Sequence, residues 1–255
     1  METILKTTEL TKQYRGVCAL NRVSLSINRG DIFGFVGANG AGKTTFMRIA
    51  CGLIQPTGGS LELFGATSAR QLQEKRRKVG ALIEHPAVYT NMSALQNLDI
   101  QRRYLDMDFG KDPQKALTEL LDLVGLAEVK DRKAGKFSLG MRQRLGLAMA
   151  LVGSPELIIL DEPTIGLDPI GVMELRELLL KLNRERNMTI LFSSHNLAEM
   201  AQIATRYGFL EKGKLLEAVT AEEIGKACES RQINLETYFV ELLLKERGCA
   251  ERRGA

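Results

Sequence analysis

The stretch that most restricts how this chain can fold is "GANGAGKTT", Gly37 to Thr45. It fits the pattern G-x-x-x-x-G-K-[ST] and stands directly after the apolar run "DIFGFVG" and directly before the apolar-periodic "TTFMRIACGL". A buried strand that feeds a helix through such a turn belongs to an α/β fold. Gly37, Gly40 and Gly42 let the backbone fold tightly, and with Asn39 and Ala41 between them the loop turns its N–H groups toward phosphate oxygens at the positive end of the helix dipole. Lys43 is then expected to reach the β- and γ-phosphates of a nucleotide. The Thr44 hydroxyl would ligate Mg²⁺, and Thr45 would support the α-phosphate side.

A phosphate loop needs a second half, and "LIILDEP" at 157 to 163 supplies it. The apolar residues read as a buried strand whose end presents Asp161 and Glu162 at the carboxyl edge of the sheet, where ligands of α/β folds bind. Asp161 is suited to holding Mg²⁺ through its water shell. Glu162 points differently and is suited to orienting or deprotonating a water aimed at the γ-phosphate.

Short β-rich runs alternate with helical patterns along the rest of the chain, as an α/β fold requires. "KVGALI" and "MTILFSSH" read as further strands, and "RYGFLEKGKLLEAV" as a hairpin around Lys212-Gly213. Between Glu84 and Pro155 the strand signal fades into helical segments, "SALQNLDIQRRYLDM", "DPQKALTELLDLVGL" and "SLGMRQRLGLAMALVG", with apolar residues at three- and four-residue spacing. Further helical segments close the chain. At 255 residues and 44% hydrophobic, it can bury a substantial core. The net charge of +4 does not mark a nucleic-acid binder, and the basic run "EKRRK" at 74 to 78 reads as a solvated helix face. Apolar stretches such as "LGLAMALVG" fall short of the roughly 18 residues that a membrane span needs. The N-terminus lacks the pattern of a signal peptide, so the expectation is a cytosolic protein. Cys18, Cys51, Cys228 and Cys249 are scattered without a C-x-x-C pair, which points to reduced thiols rather than a disulfide framework or zinc.

Between the two halves of the site stands "FSLGMRQR", 137 to 144, and after them come "GLDP", 166 to 169, and "SSH", 193 to 195. Ser138 can cap the helix that follows it, making that helix N-terminus a second anion site. Taken with the order of the earlier motifs, this resembles the nucleotide-binding subunit of ATP-binding cassette (ABC) transporters, from about Leu5 to Val219. The resemblance implies a P-loop NTPase with a RecA-like core, an antiparallel β subdomain and a helical insertion. On that basis 1–84 and 155–219 form the ATPase core, 85–154 the helical subdomain with the signature segment, and 220–255 a C-terminal helical extension.

The resemblance further implies ATP and Mg²⁺ as ligands, and a head-to-tail homodimer with ATP between Gly37–Thr45 of one copy and Ser138 and Gly140 of the other. It implies separate transmembrane permease subunits, no nucleic acid, and a peripheral place on the cytoplasmic face of the membrane. His195 would be the switch histidine that contacts the γ-phosphate. Asp168 would lie at the dimer seam, and Tyr14 would stack on adenine.

In two places the chain departs from the family pattern. Phe137, Leu139 and Met141 stand where the signature L-S-G-G-Q has Leu, Gly and Gln, and Met141 has no amide. Glu84, in "ALIEHP", stands where the family carries a glutamine that touches Mg²⁺ and the attacking water. An acid can ligate Mg²⁺ and take part in catalysis there, but it offers no amide donor and would add a third carboxylate near Asp161 and Glu162. His85 reads as a turn residue before Pro86.

Several stretches, among them "LIEHPAVYTNMSALQNL", are most similar to the bacitracin and lantibiotic self-protection branch, which implies ATP-driven removal of an antimicrobial peptide. Competing readings are an exporter of another drug or lipid-like substrate, and a soluble ABC ATPase acting on ribosomes or DNA. The latter class usually carries paired cassettes or a long coiled-coil insertion, and this chain shows neither.

Overall fold

Apolar residues fill whole strands rather than alternate positions in the middle of this chain, and such strands must be covered on both faces. The computed structural model describes residues 2–194 and 196–253. In chain order, β1 (Thr3–Tyr14) and β2 (Val17–Asn28) form an antiparallel hairpin. β3 (Ile32–Val36) then leads through the glycine loop into α1 (Lys43–Ala50), and β4 (Gly58–Leu63) returns to pair with β1. Next come α2 (Ala69–Lys75) and β5 (Val79–Leu82), followed by α3 (Ala94–Tyr104), α4 (Pro113–Leu123) and α5 (Leu139–Leu151). After β6 (Leu157–Leu160) lie α6 (Pro169–Arg186), β7 (Thr189–Ser193) and α7 (Leu197–Met200). The hairpin of β8 (Arg206–Glu211) and β9 (Lys214–Thr220) is followed by α8 (Ala221–Arg231) and α9 (Leu235–Arg253).

The smaller sheet runs β2-β1-β4 and is antiparallel; the larger runs β5-β6-β7-β3-β8-β9, with β9 antiparallel to β8 and the other pairs parallel. Side chains alternate across each strand, so the larger sheet feeds separate cores on its two faces. Ile32 and Val36 of β3, Ile158 and Leu160 of β6, and Ile190 and Phe192 of β7 join α3 to α6 in one core. Phe33, Phe35, Leu157, Ile159 and Leu191 face the other way, into a core shared with α1 and the smaller sheet. This is the P-loop cassette architecture expected from the sequence, with its antiparallel sheet and its helices between β5 and β6.

Local sequence sets the helix ends. Ser93 with Gln96, and Thr220 with Glu223, form capping boxes at α3 and α8. Asp112-Pro113 and Asp168-Pro169 combine a capping carboxylate with proline in the first turn, at α4 and α6. α9 folds back onto the hairpin, where Phe239 stacks on Phe209 at 5.5 Å and the Tyr238 hydroxyl donates to Glu217 at 2.8 Å. No helix among the described residues is long and apolar enough to cross a membrane.

The basic run at 74–78 departs from its expected role. Arg76 donates to the carbonyls of Ala50 and Ile49, satisfying the C-terminal end of α1. Lys78 pairs with Glu156 at 2.5 Å. The run is therefore partly structural cement at a helix end, which composition cannot distinguish from a solvated face.

Candidate active site

Parallel pairing aligns the carboxyl ends of the central strands. Phe35 lies opposite Ser193, and Leu160 opposite Phe192, so the segments that leave β3, β6 and β7 emerge at one edge of the sheet. The phosphate loop leaves β3 there. At Gly37 an added Cβ would lie 2.4 Å from the carbonyl oxygen of Leu210, and Gly42 has φ +111. Only glycine fits such backbone. α1 starts at Lys43 with no side-chain cap and no acid in its first turn. α3 to α6 each have a capping side chain, so the free amides of α1 stand out as the end left open to an anion.

The Lys43 ammonium curls over the loop, donating to the carbonyl oxygens of Gly37 at 2.6 Å and Ala38 at 3.3 Å, and stands 3.8 Å from Glu162 Oε1. Burial holds its pKa below the ordinary lysine value, against the opposing pull of Glu162 and Asp161. An incoming phosphate would offset that burial cost by supplying an anion. Asn39, Gly40, Ala41, Gly42, Thr44 and Thr45 line the same small cavity as Lys43, together with Asp161, Glu162 and Ala19 from β2.

A chain of hydrogen bonds joins the segments. The Thr44 hydroxyl donates to Asp161 Oδ2 at 2.7 Å, and the Ser193 hydroxyl donates to Asp161 Oδ1 at 2.6 Å. Ser193 in turn accepts from the backbone N–H of Glu162 at 2.9 Å. Glu162 has φ +50, a left-handed conformation that a glutamate adopts at a cost of order 1 kcal/mol or more. It turns the chain sharply after β6, so that successive carboxylates diverge. No role for Ser193 follows from the sequence beyond its place in "SSH" at the end of an apolar strand.

Oxygen donors of a hydroxyl and a carboxylate at hydrogen-bond distance suit a hard cation such as Mg²⁺, which is usually held by one or two carboxylates plus substrate phosphates. Among the described residues no group of three or more His, Cys, Asp or Glu stands ready to hold a metal. The expected third carboxylate is accordingly not gathered beside Asp161 and Glu162. Glu84 has φ +61, is about half exposed, and pairs with Arg48 at 2.6 Å.

The other expected residues lie apart from this cavity. Ser138 caps α5, accepting from the Met141 N–H at 3.2 Å, and Asp168 caps α6, accepting from the Gly171 N–H at 2.8 Å. With Gly140, Met141 and Arg144 they line a second, polar cavity that contains no residue of the phosphate loop. Gly140 packs closely there: a Cβ would stand 3.1 Å from the Gly166 carbonyl oxygen. Met141, lacking the amide, packs against the larger core. Tyr14 ends β1, 43% exposed, with Lys12 Nζ 5.1 Å from its ring centre, and does not line the phosphate-loop cavity. His195 lies outside the described residues.

Known proteins share this arrangement. The ABC transporter sequence profile matches residues 20–165. A bacitracin transport ATP-binding protein of Bacillus licheniformis is 45% identical over 89% of this chain and 72% of its own length. A lantibiotic transport ATP-binding protein of Streptococcus pyogenes is 41% identical over 84% of this chain and 89% of its own. In three dimensions an ATP-binding subunit of an ABC transporter matches with TM-score 0.84 and 26% identity, covering 94% of this chain and 99% of that one. An ATP-binding cassette captured as a dimer in a post-hydrolysis state, bound to ADP and Pi, matches with TM-score 0.79 and 25% identity, covering 86% and 99%.

Proposed function

This chain belongs to the ABC transporter family as an ATP-binding, ATP-hydrolysing subunit, and on that premise we propose that it powers the clearance of an antimicrobial peptide, lantibiotic or bacitracin-like, through separate membrane subunits. The 45% identity to a bacitracin transport ATP-binding protein carries the substrate class. The peptide pathway itself would lie in the partner polypeptides, and this chain would sit peripherally on the cytoplasmic face of the membrane.

ATP is bound by the loop amides and Lys43, with the ring of Tyr14 offered to the base. Thr44 and Asp161 would hold Mg²⁺, which would supply positive charge to offset that of the phosphates. Glu162 accepts the proton of the attacking water, and Ser193 fixes the backbone from which Glu162 projects. The switch role that the family resemblance gives His195 falls on a residue outside the described ones, and Glu84 could join the Mg²⁺ shell. One observation supports a homodimer: Ser138 and Gly140 open into a cavity separate from that of the phosphate loop. A single copy cannot close both on one nucleotide, so a second copy, head to tail and with Asp168 at the seam, supplies the missing half. Closure of that sandwich transmits work to the membrane subunits.

Expression together with the membrane subunits should raise the concentration of bacitracin or a lantibiotic that cells tolerate, and Lys43→Ala should abolish that protection at equal protein level. Protection that survives Lys43→Ala, or extends to neither peptide class, would remove this reading.

A further inference from the structure

We propose that Arg48 is a positioning residue that competes with the nucleotide's divalent cation for the carboxylate of Glu84. The proposal rests on the reading of Glu84 as a Mg²⁺ ligand and deepens it. Arg48 Nη2 lies 2.6 Å from Glu84 Oε1, with side chains 36% and 52% exposed. Arg48 stands in the last turn of α1, four residues after Thr44, and residues at that spacing share one face of a helix with Cβ atoms roughly 6 Å apart. Thr44 is the residue whose hydroxyl binds Asp161. Glu84 approaches that face from the other side: it follows β5, and the N–H of Asp161 donates to the carbonyl of Leu82 at 2.8 Å. Glu84 is thus paired with the residue one helical turn after Thr44 on α1, and it follows a strand that is hydrogen-bonded to Asp161.

Chemistry makes this arrangement specific to an acid. A glutamine has no charge to pair with guanidinium and could accept only a weaker hydrogen bond from it, so the residue usual at this place would be held less firmly. The pair is exposed and hence weak, whereas a divalent cation offers an oxygen ligand a far higher charge density. The left-handed backbone of Glu84, φ +61, places the side chain in a turn rather than in the regular pairing of β5, where it is free of ladder constraints. Two partners for one carboxylate, one built into α1 and one arriving with ATP, make the occupancy of the Mg²⁺ shell depend on how firmly Arg48 holds on.

The test is calorimetric binding of a non-hydrolysable ATP analogue at stepped free Mg²⁺, on the full chain as wild type, Arg48→Ala, Glu84→Gln and the double variant. Arg48→Ala should lower the Mg²⁺ concentration for half-maximal binding by about two- to fivefold, the size an exposed ion pair implies. Glu84→Gln should raise it, and the double variant should match Glu84→Gln alone, because without the carboxylate Arg48 has nothing to withhold. Arg48→Lys, which keeps the charge, should stay near wild type and separates this effect from damage to α1. An Arg48→Ala shift that persists undiminished beside Glu84→Gln overturns the proposal, as does no shift in Arg48→Ala while Glu84→Gln raises the requirement. If Glu84→Gln leaves the Mg²⁺ dependence unchanged, the ligand reading of Glu84 fails first and takes the proposal with it.

Discussion

At Ser193 one buried hydroxyl serves two neighbours, donating to Asp161 and accepting from the N–H of Glu162. Removing it would leave a buried carboxylate oxygen and a backbone amide short of a partner, which costs about 1.5–3 kcal/mol when a charged group is involved. Ser193→Ala should lower stability by that amount in urea unfolding. It should also reduce kcat by roughly tenfold, the equivalent of about 1.4 kcal/mol of lost positioning, with a smaller effect on ATP affinity. A kcat equal to wild type would show that Glu162 does not depend on this anchor. The contrast with Lys43 explains what was legible beforehand. Gly37 to Thr45 declare themselves because their chemistry is written in consecutive letters. Ser193 reaches Asp161 across 32 residues and Thr44 reaches it across 117, so only the sheet order brings them together.

Among the elements, β6 shows how the central strands are fastened at the end remote from the site. Glu156, just before β6, bridges Lys78, just before β5, and Arg29, just after β2. The hydrogen bond from Lys78, with a further one from Arg29, holds the Glu156 carboxyl below its ordinary value despite some burial. A carboxylate with a depressed folded-state pKa adds stability above its unfolded value and loses that contribution as the pH falls through the folded value. Glu156→Gln should therefore cost about 1 kcal/mol at pH 7, discounted for partial exposure. The gap to wild type should close as the pH falls below about 4, the ordinary carboxylate range. Urea denaturation over a pH series checks this, and a constant gap across the series would contradict it.

Elements as such were largely readable: the strands ending at Val36, Leu82, Leu160 and Ser193 all follow from short apolar runs bounded by turn residues. The roles of the charged side chains between them were not. Arg76 satisfies a helix end and Glu84 pairs with Arg48, contacts that depend on where α1 comes to rest against β5. The same limit applies to Glu84 as an expected neighbour of Asp161. Adjacency of strands predicts adjacency of backbones, but φ +61 at Glu84 decides where its side chain goes.

For the whole molecule, the separation of two helix ends, those of α1 and α5, is the governing fact. α1 opens into the cavity of Lys43 and Asp161, while α5 presents Ser138 and Gly140 to a cavity bordered by Asp168. On the proposed reading each is half of a site. A chain built this way gains its second half from another copy, and the energy of closing the pair is what a transporter can pass to its membrane subunits. Sedimentation velocity of Glu162→Gln protein, with and without Mg²⁺ and ATP, tests that account most directly. Glu162→Gln is expected to stop turnover while leaving ATP bound, so the protein should sediment as a dimer with ATP and as a monomer without it. A Glu162→Gln protein that binds ATP and remains monomeric at every concentration would contradict the shared site.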